Sequence, residues 1–415
     1  RRRTAADEVP IFGEEQMTDQ SAIDDQRRSR FPLGAQVRLA QLETDPYPVL
    51  AELRAAEPVS WVPALGAWLV TRRDLAVAAM RDAEAFTVDD PRFSTGAVLG
   101  PSMLSLDGPE HQRHRNPFAP SFRPGILREE FDHYLTAECH RLIDRFLADG
   151  MAELRTALAG PLAVNTIVRF LGLRDVTSAE VLDWYHHISD AITGLNLGTE
   201  PSVEQRAAIA AIHERVEATL ADAGDTSVVA RVAASGALRP DELGSAIAVL
   251  MFGAIETAEG MTANALWHLL TNPEVLAQVR ADRHLVADAI EESVRLEPAA
   301  AVLDRYTTTD TRLGEVVIPE RELVTLSLQA ANRDPEVFDD PDRFDLQRPN
   351  TNRHVTFAQG PHGCLGIHLT RMETVAAVNA LLDATDGRDL RLDPTASTAP
   401  TGLIFRKPER VVARW

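Results

Sequence analysis

Cysteine and lysine are almost missing from this 415-residue chain. It has two cysteines, Cys139 and Cys364, and of its 42 lysines and arginines only Lys407 is a lysine. Two cysteines cannot build a disulfide framework, which points to a reducing cytoplasm. The near-exclusive use of arginine, with abundant alanine, points to a GC-rich coding sequence and a bacterial origin. Positive charge is short overall: 62 acidic residues against 42 basic ones leave a net charge of -20 and a pI of about 5.0. That balance argues against nucleic acid and anionic membrane surfaces as partners. No run reaches the roughly 18 uncharged apolar residues of a membrane span, and the best stretch, Ala246 to Ile255, is too short. The start shows no apolar signal segment. Fixed-period repeats and flexible linkers are lacking as well.

What the chain does have is an ordinary globular composition, 45% apolar and 25% charged. Residues 1–16, "RRRTAADEVPIFGEEQ", precede Met17 and are expected to be a tag or disordered extension. Residues 17–45 are polar and read as mostly irregular. A short helix is expected over 45–58 and a β-hairpin over 59–73, where apolar and polar residues alternate around a glycine. Helical periodicity then dominates. It predicts helices near 74–82, 109–118, 125–148, 162–172, 178–195, 202–222, 240–270, 284–296 and 365–384. Short strands, "VLDRYTTTD", "EVVIP" and "ELVTLS", precede an irregular Pro- and Asp-rich segment at 332–349, and "LRLDP" and "ERVVARW" close the chain. The expectation is a mainly α protein with a minor β portion, one large domain over 46–415.

Two places depart from this plain pattern. The helix 240–270 is apolar nearly all round in its first half, the mark of a helix buried on every side. Yet Glu256 and Thr257 lie at its centre, where a carboxylate is costly unless paired, hydrated or functional. Gly253 beside them weakens the helix and predicts a local opening. The second place is Phe357 to Gly366, "FAQGPHGCLG". Cys364 there immediately precedes a predicted helix, whose free N–H groups favour a thiolate. Such a thiol suits a nucleophile, a redox thiol or a metal ligand. His362 is near enough to serve as a base, but no third group orients it. A C-x-x-C pair is absent, and no tetrahedral zinc spacing occurs. A haem iron needs only one ligand from the protein. A buried structural cysteine also remains open here, and it is the reading adopted for Cys139 on its amphipathic helix.

The loop resembles the cysteine-ligand loop of the cytochrome P450 superfamily, F-G-x-G-x-H-x-C-x-G. Phe357, Gly360, His362, Cys364 and Gly366 match, and Ala358 replaces a common glycine. Four further matches follow the family order over about Pro46 to Trp415. They are "HQRHR" with His111 and Arg115, "GAIETA" with Glu256 and Thr257, "EESVR" with Glu292 and Arg295, and "PDRF" with Arg343. The resemblance implies the cytochrome P450 fold, a single large helical domain with small antiparallel sheets around a buried haem. It implies haem b with Cys364 as axial thiolate and O2 as co-substrate. His111, Arg115, Arg305 and His362 would bind the haem propionates, with Phe357 and Gly366 completing the loop. Glu256 would relay protons and Thr257 would hydrogen-bond at the oxygen site, while Glu292, Arg295 and Arg343 would form a structural triad. Ala254 and Ala258 stand where a second glycine and a second threonine are frequent. The implied activity is hydroxylation or epoxidation of an apolar small molecule, in secondary metabolism. Val98, Leu99, Met103, Leu104, Leu250, Ala254, Val302 and Leu403 are the expected contacts, and for the first four a core role weighs almost equally. Electrons would come from a ferredoxin or flavodoxin with its NAD(P)H-dependent reductase, steered by a basic patch at Arg113, His114 and Arg115. Peroxide-driven turnover and a non-catalytic haem protein stand as alternatives.

Overall fold

Apolar residues recurring at helical spacing make most of the chain helical. The structure, a computed structural model, describes residues 23–196, 198–220 and 227–415. The expected extension 1–16 lies outside the described residues. Helices at Arg73–Arg81, Gly108–Arg115, Pro124–Ile143, Gly160–Leu171, Ser178–Asn196, Val203–Leu220, Pro240–Thr271, Leu285–Leu296 and Ile367–Ala384 fall where periodicity placed them. Helices at Leu39–Thr44, Ser94–Leu99, Val228–Ala234 and Pro273–Ala281 are additions that their short apolar patterns did not announce.

The long helix Pro240–Thr271 is the axis of the fold. Proline occupies its first turn, and the Glu242 carboxylate accepts the Arg239 N–H at 2.9 Å, which fixes its start. Ala246, Ile247, Met251, Ile255, Leu266 and Leu269 are buried in the main apolar cluster along it. Its length and composition would suffice to cross a membrane, but 72% of its most apolar window is buried inside the protein. The predicted opening at Gly253 does not interrupt the helix. Instead, Thr257 Oγ1 donates to the Gly253 carbonyl one turn earlier, at 2.5 Å. The helix that follows the cysteine loop, Ile367–Ala384, packs against it, with Thr262 and Thr374 hydroxyls 3.0 Å apart. On its other side it meets Pro124–Ile143, where Cys139 is wholly buried. Burial, reinforced by the Glu373 and Glu138 carboxylates, pushes the Cys139 thiol up to about 12, so it stays protonated.

The β portion lies to one side. Its largest sheet orders Val59–Val62, Ala67–Val70, Leu323–Ser327, Val302–Thr307 and Phe86–Thr87. Trp61 pairs with Trp68 across the predicted hairpin. One junction differs from the expected antiparallel arrangement: Ala67–Val70 and Leu323–Ser327 run parallel, with Trp68 opposite Val324. Two strands separated by the whole helical body need no tight turn, so parallel pairing is open to them. The segment before Asp45 is also more ordered than its polarity suggested. Residues 23–30 are helical, and Arg27 stacks 4.3 Å over Trp61 while pairing with Glu322 at 2.7 Å.

Candidate active site

The cysteine loop is held by backbone geometry that its glycines permit. Gly360 has φ +76°, and a Cβ there would lie 2.5 Å from the Met80 carbonyl oxygen, so a side chain has no room. Ala358 also takes a left-handed conformation, φ 57°, with its methyl packed on the apolar cluster under the sheet. The Cys364 N–H donates to the Phe357 carbonyl at 2.8 Å and closes the loop. Phe357 is covered by the Arg371 guanidinium, 4.9 Å from its ring. Cys364 Sγ receives the N–H groups of Gly366 and Ile367 at the start of the following helix. The thiol is accessible, but protein surrounds it on most sides. Burial therefore raises its pKa, against the pull of the Gly366 N–H, Arg115, the Ile367 N–H and Arg371. The helix terminus does not outweigh burial, contrary to the expectation that it lowers the pKa of this thiol.

Basic side chains gather beside this thiol. Arg115 donates to the Gly363 carbonyl, one residue from Cys364. The rings of His111 and His362 lie 4.4 Å apart. Arg305, on strand Val302–Thr307, is 5% exposed, and its guanidinium donates to the Asp304 carbonyl at 2.7 Å with no carboxylate at ion-pair distance among the described residues. His111 Nε2 is buried without a hydrogen-bond partner. Burial, followed by the His362 and Arg115 charges, brings His111 down to about 4. His362 Nε2 bonds Asp107 Oδ1 at 2.7 Å, a partner that sequence reasoning missed. Against the upward effect of burial, His362, the Thr87 hydroxyl and the Val88 N–H bring Asp107 down to about 2. Beside Asp107, His111 Nε2 has no hydrogen-bond acceptor and Arg305 no ion-pair partner among the described residues. A haem fits this arrangement chemically: it carries two carboxylates that basic side chains can bond, and its iron needs a single sulfur ligand from the protein.

On the long helix, the flank opposite the packed core is open at the expected place. A Cβ at Gly253 would meet no atom within 4 Å, and Ala254, Glu256 and Thr257 are half-buried. Glu256 is not free in this state. Tyr185 donates its hydroxyl to one carboxylate oxygen, and Lys407 Nζ lies 2.9 Å from the other. Among the candidate substrate contacts, Leu99 and Met103 are 2% and 6% exposed within the main core. Both pack into that core, the role that their aliphatic character left open beside substrate contact. Val98, Leu104, Leu250 and Ala254 lie half-buried at the edge of that core. Val302 is half-buried on its strand, and Leu403 packs on the N-terminal apolar cluster.

Two expectations need correction. Glu292 and Arg295 are fully buried and joined at 2.7 Å. The third member is Arg348, whose Nε reaches Glu292 Oε1 at 2.9 Å. The Arg343 side chain is 65% exposed and nearest Asp345, at 3.6 Å. Only its carbonyl joins the cluster, accepting from Arg295 and Arg348. Two arginines five residues apart in an irregular segment have no periodicity to tell them apart. Arg113 likewise does not offer a free positive patch. Its guanidinium is held by Glu242 at 2.7 Å, Glu110 at 2.8 Å and the Ala237 carbonyl, and His114 is buried. These carboxylates cancel the charge locally.

Comparison with known proteins accords with this geometry. The cytochrome P450 family model matches residues 204–386. "Cytochrome P450 107B1" of Saccharopolyspora erythraea is 33% identical over 371 residues, 83% of this chain and 87% of that protein. The "Cytochrome P450 monooxygenase PikC" of Streptomyces venezuelae is 32% identical, covering 89% and 91%. Further bacterial relatives are named as a hydroxylase and a hydroxylase/epoxidase. The crystal structure of CalO2 superposes with a TM-score of 0.81 at 27% identity, over 89% of this chain and 96% of that one. The chain belongs to the cytochrome P450 family. It is a monooxygenase of the bacterial type, in a family whose members hold haem by a thiolate.

Proposed function

We propose that this chain binds haem b through the Cys364 thiolate and hydroxylates or epoxidises an apolar small molecule of bacterial secondary metabolism. The observation that carries this reading is Cys364, an accessible thiol at a helix start, together with a buried His111 nitrogen without a hydrogen-bond partner and a buried Arg305 without an ion-pair partner among the described residues. Haem bound there supplies reductive activation of O2, with the thiolate favouring O–O cleavage. Overall, a substrate C–H bond, O2, two electrons and two protons yield C–OH and water. His111, Arg115 and Arg305 bind the propionates by charge-assisted hydrogen bonds, and Asp107 orients His362 beside them. Thr257 turns its hydroxyl from the Gly253 carbonyl to donate at the oxygen site, and Glu256 carries protons toward it. Val98, Leu104, Leu250, Ala254, Val302 and Leu403 supply the apolar contacts. Electrons come from a ferredoxin or flavodoxin and its NAD(P)H-dependent reductase in the cytoplasm.

The absorption spectrum of the reduced, CO-bound protein tests the central point. Wild type and Cys139→Ser should show the red-shifted Soret band of thiolate ligation, and Cys364→Ser should lose it. Retention of that band by Cys364→Ser would disprove the assignment. Thr257→Ala should keep the band yet divert electrons into hydrogen peroxide, measured as peroxide formed per NAD(P)H consumed.

A further inference from the structure

The single lysine of the chain stands in an unusual place. In a protein that uses arginine for every other basic side chain of this type, Lys407 reaches two carboxylates of the central helix at once. Its Nζ lies 2.9 Å from Glu256 Oε1 and 3.0 Å from Glu259 Oε2, and its side chain is 19% exposed. The two acids are three residues apart, so they share one face of the helix. An ammonium group has three donors on one atom and can bond both, whereas a planar guanidinium would have to straddle them.

The surroundings make Glu259 and Lys407 fixed points and Glu256 the movable arm. Glu259 is also held by Arg155 at 2.7 Å, and Arg155 Nε is itself held by the Glu409 carbonyl at 2.7 Å. Lys407 lies on strand Lys407–Pro408, paired with Pro400–Thr401. The turn between them is locked by the buried Arg406, which bonds Glu297 at 2.7 Å and the carbonyls of Pro400 and Glu43 at 2.9 and 2.8 Å. Glu256, by contrast, has among the described residues only Lys407 on one oxygen and the Tyr185 hydroxyl on the other. Tyr185 belongs to a different element, helix Ser178–Asn196.

We propose that Lys407 is the positioning residue of Glu256, holding its carboxylate in a parked orientation and recapturing it after each proton transfer. This rests on the reading of Glu256 as the proton relay. Transfer toward Thr257 requires the carboxylate to leave Lys407. Lys407 cannot follow, because Glu259 retains it. The proton moves as an ordinary acid–base exchange, with the Glu256 carboxylate regenerated and no change in oxidation state.

Because Lys407 is the only lysine, [ε-13C]lysine labelling gives the holoenzyme a single side-chain NMR signal, readable in its diamagnetic reduced, CO-bound form. The signal should shift on Glu256→Gln. An unmoved signal would show that the contact is not made and would overturn the proposal. In parallel, NADPH oxidation driven by a plant-type ferredoxin and its reductase is followed in H2O and D2O, without organic substrate. Glu256→Gln and Lys407→Met should both change the solvent isotope effect several-fold, and Lys407→Arg should restore most of it. A normal isotope effect in Lys407→Met beside a defective Glu256→Gln would remove Lys407 from the mechanism and leave the relay standing. A normal effect in Glu256→Gln would remove the relay itself and the proposal with it. Should Lys407→Met fail to bind haem, the NMR shift and Lys407→Arg still decide: an arginine variant that behaves like Glu256→Gln despite a normal CO spectrum would overturn the proposal.

Discussion

At the scale of single residues, the cysteine loop shows how position decides what a side chain costs. Gly360 and Ala358 both have positive φ, yet only Gly360 is closed to a side chain, because Met80 and Arg81 backbone atoms lie at 2.5 and 3.0 Å from its would-be Cβ. Gly363, at φ -52°, meets only the Gly360 carbonyl at 3.4 Å. Gly360→Ala should therefore combine left-handed strain with a backbone clash, lowering stability by about 2 kcal/mol or more and reducing haem occupancy. Gly363→Ala should cost less than about 1 kcal/mol. Denaturant midpoints and the haem-to-protein absorbance ratio measure both, and equal effects would contradict the geometry. The sequence made the loop legible because a cysteine among glycines is rare. It could not reveal Asp107, since an aspartate before a helix usually reads as a cap, and its partner His362 is 255 residues away. Nor could it show that Glu256 would be bonded to Tyr185 and Lys407, although the singularity of Lys407 was visible.

Among elements, the buried charge cluster ties helix Leu285–Leu296 to the irregular segment that leads to the cysteine loop. Glu292 accepts from Arg295, Arg348 and the Asp345 N–H, and Arg295 also satisfies the carbonyls of Asn332 and Pro341. A segment without regular hydrogen bonding needs such partners for its buried carbonyls. Arg348→Met should leave Glu292 and three carbonyls poorly satisfied, costing about 3 kcal/mol or more, whereas Arg343→Ala should change stability by no more than about 0.5 kcal/mol. Urea unfolding of the two variants discriminates them, and the reverse order would restore Arg343 to the cluster. The long helices were readable because periodicity averages over many turns. The helices Leu39–Thr44, Ser94–Leu99 and Val228–Ala234 span two turns or fewer and are fixed by packing that no local pattern records. The parallel pairing of Ala67–Val70 with Leu323–Ser327 is likewise set by the return of a distant chain, which periodicity cannot show.

Over the whole molecule, the excess of acid and the buried histidines set opposing responses to pH. Acidification reduces the net charge of -20 and with it self-repulsion. Ordinary carboxylates titrate near about pH 4, however, so above that range this relief is small. Histidines titrate first. His268 is enclosed between the long helix and Leu285–Leu296, its Nδ1 2.8 Å from Ser293 Oγ and its ring 5.3 Å from Phe344. Burial, with Arg333 and Arg295 nearby, brings it from 6.5 down to about 3. His114, buried and beside Arg113, is lowered as well. A group whose folded pKa is depressed stabilises the fold above its unfolded pKa and loses that contribution as pH falls through the folded value. Below about pH 6.5 the unfolded chain takes up a proton at His268 that the folded chain refuses, a loss of up to about 1.4 kcal/mol per pH unit. Stability of the holoprotein should thus decline between about pH 6.5 and 5.5, where ordinary carboxylates are still almost wholly ionised. His268→Gln keeps a hydrogen-bonding group for Ser293 and removes the titration. Denaturant midpoints across this window should fall less steeply in the variant, while parallel slopes would mean that His268 is protonated in the fold.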